Sequence, residues 1–139
     1  MDSGELSVKG CAVLELGAGA GLPSLTAALA GAAAVVVTDY GTAADDTLMV
    51  SLRANAGALR AARPSDDAWR DVDAEPHVWG ADVAPLLARL ARLGVPDRRF
   101  DRILLADLLF NRQSHRQLLT TCKARMQFVT PALHRACVR

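Results

Sequence analysis

An apolar run that leads into three glycines at alternate positions constrains this chain more than any other feature. The stretch from Val13 to Pro23 reads VLELGAGAGLP. Glycine adopts φ > 0 without strain and lacks the Cβ atom that keeps a ligand away from the main chain. The stretch therefore predicts a strand, a tight turn and a helix, with a turn that a nucleotide-like cofactor can approach. A ligand-free turn rich in glycine and alanine is the alternative.

The glycine spacing departs from the dinucleotide-binding fingerprint G-x-G-x-x-G, whose third glycine packs the helix against the strand. Gly17, Gly19 and Gly21 place the third glycine one residue early, and Leu22 stands where that fingerprint needs glycine. Glu15 adds a carboxylate two residues before the first glycine. Both features disfavour an oxidoreductase that uses a nicotinamide dinucleotide, which stays an alternative.

The length and composition of the chain indicate one domain over residues 1–139, long enough to bury a substantial core. The 16 basic and 15 acidic residues nearly cancel, so we expect neither nucleic acid nor a membrane as a partner. The polar first ten residues do not resemble a signal peptide, and we expect a cytoplasmic protein. Three cysteines without metal-binding spacing predict reduced structural thiols and no metal site: Cys11, Cys122 and Cys137.

Apolar segments typical of strands alternate with segments of helical periodicity along the chain. The patterns predict strands over residues 11–16, 34–38, 76–79 and 100–106, and helices over residues 23–30, 42–60, 83–93 and from Ser114. Residues 61–74 are rich in proline, aspartate and arginine and predict an exposed linker, in which Trp69 is unexplained. The alternation is typical of an α/β fold with a doubly wound parallel sheet between two helical layers.

Acidic residues follow all four predicted strands, at the edge of a parallel sheet where ligands bind: Glu15, Asp39, Asp82 and Asp107. Asp39 follows the first glycine by roughly 20 residues, where nucleoside-binding sheets place an acid that binds ribose hydroxyls. A turn residue or helix cap is the alternative for Asp39. Asp82 either accepts a hydrogen bond from an adenine amino group covered by Trp79, or caps the next helix, and the two roles are compatible.

Three segments together resemble one family, the fungal seven-strand methyltransferases that modify elongation factor 1-alpha. They read VLELGAGAGLPSL from Val13, VVVTDY from Val35, and VWGADV with FDRILLADLLFN between His77 and Asn111. The resemblance covers about residues 9 to 120, and LADLLFN is its most discriminating part. It implies a Rossmann-like fold and transfer of a methyl group from S-adenosylmethionine to a lysine or N-terminal amine of elongation factor 1-alpha.

The resemblance also implies roles for individual residues. It places Glu15 and the three glycines around the methionine end of S-adenosylmethionine, Asp39 at its ribose, Trp79 and Asp82 at its adenine, and Ala106 among the cofactor-binding residues. Asp107 and Phe110 match an acid-x-x-aromatic motif that holds the target amine. The alternatives are an ordinary strand-end acid for Asp107 and a core aromatic residue for Phe110.

The chain departs from the family pattern in its number of strands. Seven strands are usual in the family and this sequence predicts about four, so we expect a partial domain with an open edge at the fourth strand. Full-length family members are expected to be monomeric, whereas an open edge predicts marginal stability or self-association here. A catalytically silent cofactor-binding module is therefore the second hypothesis, and a small-molecule N-methyltransferase is a further alternative.

Overall fold

The computed structural model describes residues 7–41, 47–62, 72–95, 99–108, 110 and 112–124. Four strands and four helices alternate along these residues, with one short 3-10 turn at Arg112–Ser114. The strands are β1 (Ala12–Glu15), β2 (Ala34–Asp39), β3 (Val72–Pro76) and β4 (Arg102–Leu104). The helices are α1 (Leu22–Leu29), α2 (Thr47–Ala62), α3 (Ala84–Arg92) and α4 (His115–Lys123).

The four strands form one parallel sheet in the order β3-β2-β1-β4. At its centre, Leu14 lies opposite Val36 on one side and Ile103 on the other. Because all strands run in the same direction, their carboxyl ends meet at one edge, where a doubly wound sheet binds its ligands. The predicted parallel α/β fold is confirmed.

Helices cover both faces of the sheet, since successive strand residues point to opposite sides. One core joins the sheet to α3 and α4 and includes Leu14, Val36, Leu86, Leu90, Phe100 and Leu118. The other core joins the sheet to α1 and α2 and includes Val13, Val35, Val37, Ala28, Met49 and Leu52. The predicted arrangement of three layers is therefore confirmed.

The position of β3 corrects the sequence prediction. The strand covers Val72–Pro76, whereas the sequence predicted a strand over residues 76–79 and a linker up to residue 74. Its Asp73 and Glu75 disguised the strand, because acids are uncommon in a buried strand. Arg89 of α3 pairs with both, at 3.0 Å from Asp73 and 2.5 Å from Glu75. Residues 77–79 instead lie beyond the strand, where a turn from Val78 to Ala81 is closed by a hydrogen bond from the Ala81 N–H to the Val78 carbonyl oxygen at 3.0 Å.

Other predicted boundaries also move. β4 covers only Arg102–Leu104 instead of residues 100–106, and within the described ranges it pairs with β1 alone. Residues 42–46 of the second predicted helix, most of the predicted linker with Trp69, and Cys137 lie outside the described residues.

Cys11 and Cys122 are both free thiols, and burial raises the pKa of Cys122. Among the described helices, none combines the length and the apolar character needed to cross a membrane.

Candidate active site

A cleft of about 730 Å³ opens at the carboxyl edge of the sheet. The turns after β1, β2 and β3, the loop after β4 and the first turn of α4 line it. Small-molecule sites typically have volumes of roughly 300–1,000 Å³, so the cleft suits a ligand of nucleoside size or larger. The structure brings together these predicted site residues: Gly17, Gly19, Asp39, Trp79, Ala106, Asp107 and Phe110.

The three glycines after β1 all have positive φ values, but their surroundings differ. A Cβ atom on Gly17 would lie 2.5 Å from Leu108 Cδ2, and one on Gly21 would lie 2.6 Å from Leu52 Cδ2. These two glycines thus make room for protein side chains. In the part of the chain that the structure describes, no atom outside the neighbouring residues lies within 4 Å of a Cβ built on Gly19. Gly19 therefore leaves its backbone open to a ligand in the cleft.

Asp39 connects the end of β2 to the glycine turn. Its Oδ2 accepts a hydrogen bond from the Gly19 N–H at 2.6 Å, and its Oδ1 accepts one from the Tyr40 N–H at 2.5 Å. A carboxylate has about four acceptor positions, so two remain for hydroxyl groups of a ligand. Asp39 both shapes the turn and presents acceptors to the cleft.

Glu15 does not line the cleft, although the sequence predicted that it contacts a ligand. Its side chain is buried behind the glycine turn, where Oε2 accepts a hydrogen bond from the Ser24 N–H at 3.0 Å and Oε1 has no partner among the described residues. Ser24 belongs to the first turn of α1, whose N–H groups lack partners within the helix. Burial raises the pKa of Glu15, against an opposing contribution from its hydrogen bonding to Ser24. Glu15 thus holds the start of α1, and its contact with a cofactor stays a prediction.

Trp79 lines the cleft in the structure, whereas Asp82 does not. Trp79 lines the cleft and packs against the core beside α3 and α4. Asp82 is exposed and outside the cleft lining, and its Oδ1 accepts a hydrogen bond from the Ala84 N–H at 3.0 Å. The N-cap of α3 is Val83, so the alternative role of Asp82 as the N-cap is wrong; Asp82 precedes the cap and accepts from the first residue of the helix. Its contact with adenine stays a prediction.

The loop after β4 turns sharply at Asp107, which has a φ of 55°. Such a conformation is uncommon for a residue other than glycine, although aspartate tolerates it better than most. Beyond the turn, Leu108 is buried against Gly17, while Asp107 is exposed on the cleft. Phe110 also lines the cleft and is 79 % exposed, so the interpretation of Phe110 as a core aromatic is wrong.

His77 also lines the cleft, and the sequence analysis assigned it no role. The side chain is 5 % exposed, with Nε2 lying 3.3 Å from Thr121 Oγ1. Burial lowers the pKa of His77, opposed by the charge of Glu75. No local pattern marks this pair, because its members lie far apart in the sequence and meet only through the fold.

Residues 1–134 match the sequence profile of a family described as lysine methyltransferase. The chain belongs to this lysine methyltransferase family. Its match takes in every strand and helix that the structure describes, including all the elements that surround the cleft.

Three fungal proteins similar to this chain carry the name protein N-terminal and lysine N-methyltransferase EFM7. The Gibberella zeae protein is 46 % identical over 118 residues, which cover 84 % of this chain and 43 % of that protein. The Neurospora crassa protein is 42 % identical, with 82 % and 39 % covered. The Cryptococcus neoformans protein is 39 % identical, with 81 % and 34 % covered. The chain therefore spans less than half the length of these curated relatives.

The fold is also similar to that of a solved structure, an S-adenosylmethionine dependent methyltransferase from Mesorhizobium loti. The TM-score is 0.52 at 20 % sequence identity, with 86 % of this chain and 44 % of that chain covered. This likeness supports the α/β fold of the chain and carries no residue roles.

Proposed function

We propose that the chain forms the cofactor-binding part of an S-adenosylmethionine-dependent methyltransferase that modifies a lysine or N-terminal amine of a protein. The observation that carries the proposal is the meeting of Gly19, Asp39 and Trp79 in one cleft with Asp107 and Phe110. Membership of the lysine methyltransferase family and the names of the fungal relatives support the same activity.

The residues in the cleft fit an adenosyl ligand. The open space beside Gly19 lets a ligand reach the main chain, and Asp39 keeps acceptor positions for ribose hydroxyls. The indole of Trp79 supplies a flat apolar surface of the kind that stacks on a heteroaromatic ring. When bound, S-adenosylmethionine supplies a methyl group on a positively charged sulfur. Gly19, Asp39, Trp79 and Ala106 are the residues that we propose hold it.

The exposed Asp107 and Phe110 supply the amine-binding part of the proposal. Methyl transfer to an amine requires alignment of the nitrogen more than covalent chemistry from the enzyme, so positioning dominates. The Asp107 carboxylate accepts a hydrogen bond from the amine and holds its nitrogen in place. The face of the Phe110 ring stabilises positive charge that develops on that nitrogen.

Elongation factor 1-alpha is the proposed protein substrate, and the cytoplasm is the proposed compartment. The support for this substrate is the resemblance of the LADLLFN segment to the fungal methyltransferases that modify it. The free thiols of Cys11 and Cys122 are consistent with a reducing compartment.

A catalytically silent cofactor-binding module is the second candidate function. This candidate needs only the residues proposed to hold the cofactor, Gly19, Asp39, Trp79 and Ala106, and all four line the cleft. Such a module binds the cofactor and transfers no methyl group to a protein.

Calorimetric titration with S-adenosylhomocysteine, and with NADH as a control ligand, tests the cofactor site. We expect saturable binding of S-adenosylhomocysteine alone, and loss of that binding in Asp39→Asn. Asp101→Asn is the matched control, because Asp101 also accepts a backbone hydrogen bond, from the Ala12 N–H at 2.8 Å, but lies outside the cleft lining. Equal affinity of the wild type and Asp39→Asn would contradict the proposed ribose contact.

Incubation with radiolabelled S-adenosylmethionine and purified elongation factor 1-alpha then separates the two candidate functions. Labelled elongation factor supports the enzyme. Binding of S-adenosylhomocysteine without labelling of this or any other protein in a lysate supports the silent module.

A further inference from the structure

A buried polar contact joins the end of β3 to α4 directly behind the cleft. Thr121 of α4 is 1 % exposed and His77 is 5 % exposed, and His77 Nε2 lies 3.3 Å from Thr121 Oγ1. Burying a polar group costs free energy unless the group is hydrogen-bonded. The contact between His77 and Thr121 therefore offsets the cost of burying both side chains.

The hydroxyl of Thr121 contacts both His77 and the turn that follows it. Thr121 Oγ1 accepts a hydrogen bond from the Gly80 N–H at 2.8 Å. The same oxygen shares a hydrogen bond with His77 Nε2, and the direction of that bond depends on the tautomer of the imidazole. Burial lowers the pKa of His77, which favours the neutral imidazole.

The same two residues hold the turn that carries Trp79. The His77 N–H donates to the Asp39 carbonyl oxygen at 2.9 Å on one side of the turn, and Gly80 donates to Thr121 on the other. Gly80 has a φ of +86°, and a Cβ atom there would lie 3.1 Å from Gln117 Cβ. The backbone on both sides of Trp79 is thus fixed between β2 and α4.

We infer that His77 and Thr121 are positioning residues that hold the Trp79 indole in the wall of the cleft and so set the affinity for an adenosyl ligand. The affinity half of the inference rests on the proposed function, whereas the placement of Trp79 rests on the geometry alone. Neither residue acts on the reacting atoms.

Fluorescence of Trp79 tests the placement without any ligand. The chain has two tryptophans, so a Trp69→Phe background leaves Trp79 as the only tryptophan, which excitation near the red edge of indole absorption selects over Tyr40. Thr121→Val removes the hydroxyl and keeps the shape of the side chain. We expect acrylamide to quench Trp79 more strongly in this variant than in the background protein, because the turn loses both hydrogen bonds to Thr121.

Two control variants isolate the hydroxyl. Thr121→Ser keeps it and should restore the quenching of the background protein. Thr120→Val makes the same substitution at an exposed neighbour, whose hydroxyl bonds within α4 to the Arg116 carbonyl oxygen at 2.9 Å. It should leave the quenching unchanged. Circular dichroism confirms that the compared variants are folded, and Thr121→Ala, which also removes the hydroxyl, replaces Thr121→Val if that variant does not fold.

Titration with S-adenosylhomocysteine tests the affinity. Loss of a hydrogen bond that positions a ligand contact should weaken binding roughly two- to tenfold in Thr121→Val, and not in Thr121→Ser or Thr120→Val. Unchanged quenching in Thr121→Val overturns the inference, as does a serine variant that behaves like the valine variant. If Thr121→Val shows increased quenching but an unchanged affinity for S-adenosylhomocysteine, the inferred effect on ligand affinity is overturned. Failure of the unsubstituted protein to bind overturns the proposed function instead, and the quenching result still decides the placement.

Discussion

Gly17 and Leu108 meet below the cleft, where a Cβ atom on Gly17 would lie 2.5 Å from Leu108 Cδ2. The contact links the turn after β1 to the loop after β4, which carries Asp107. The part of the chain proposed to bind a cofactor and the part proposed to bind an amine therefore share one packing contact.

Gly17→Ala should destabilise the protein by about 1–3 kcal/mol, because alanine is strained at a φ of +65° and collides with Leu108. Urea unfolding measures the change in the free energy of unfolding. Gly57→Ala is the matched control, since it lies in α2 with no atom within 4 Å of an added Cβ. We expect Gly57→Ala to stabilise by roughly 0.5–1 kcal/mol. An unaffected Gly17→Ala variant would disprove the close contact.

Asp107→Asn should abolish most methyl transfer, by roughly 100-fold or more, while the affinity for S-adenosylhomocysteine stays unchanged. Asparagine tolerates the positive φ of Asp107, so the turn keeps its shape and the substitution removes only the charge. Single-turnover transfer to a peptide or protein amine measures the rate. Equal loss of binding and transfer would argue that Asp107 acts on the cofactor site instead.

Asp82→Ala should lower stability by roughly 0.5–1.5 kcal/mol, because the hydrogen bond from the Ala84 N–H is lost at the start of α3. Its position outside the cleft lining predicts unchanged affinity for S-adenosylhomocysteine. Asp82→Asn is the control, since the side-chain oxygen of asparagine also accepts a hydrogen bond and should retain the stability. Weakened ligand binding in Asp82→Ala would instead support the adenine contact that the sequence predicted.

Glu15 should make stability depend on pH with a sign opposite to that of most carboxylates. Its pKa is raised in the folded state above the ordinary value of 4.5. Its contribution to stability is therefore fully present below that value and is lost as pH rises through the folded pKa. In urea unfolding between pH 4 and pH 7, Glu15→Gln should gain stability relative to the wild type as pH rises. A difference that is constant with pH would count against a buried, titrating Glu15.

Self-association is expected because, in the ranges the structure describes, the outer edge of β4 is unpaired. An unpaired edge presents backbone N–H and carbonyl groups to another chain. Analytical ultracentrifugation over a range of concentrations should show reversible formation of larger species. A monomer at all concentrations with a sharp thermal transition would contradict this prediction.

The sequence predicted the fold well where local patterns determine it. The glycine turn and Pro23 define the start of α1, and buried runs such as Val35 to Val37 define central parallel strands. β3 was misplaced because its acids are compensated by Arg89, which lies in a helix later in the chain. The periodicity of a segment indicates which of its residues are buried. It does not reveal a charged partner that comes from another segment of the chain.

The same limit explains the candidate site. Asp39, Trp79, Asp107 and Phe110 follow strands, so the topology alone brings them to one edge. The sequence predicts Glu15 in the cleft because it also ends a strand. Its side chain instead accepts a hydrogen bond from the Ser24 N–H at the start of α1. The contact of His77 with Thr121 depends on how α4 packs, which no spacing in the sequence records.

The two hydrogen bonds to the Asp39 carboxylate have a consequence for recognition. Because Gly19 and Tyr40 donate to it within the protein, the turn is ordered as a part of folding. A ligand that reaches Gly19 then meets a surface already in shape, and little conformational entropy is lost on association. Selectivity at this turn accordingly comes from the rigidity of the protein as much as from contacts with the ligand.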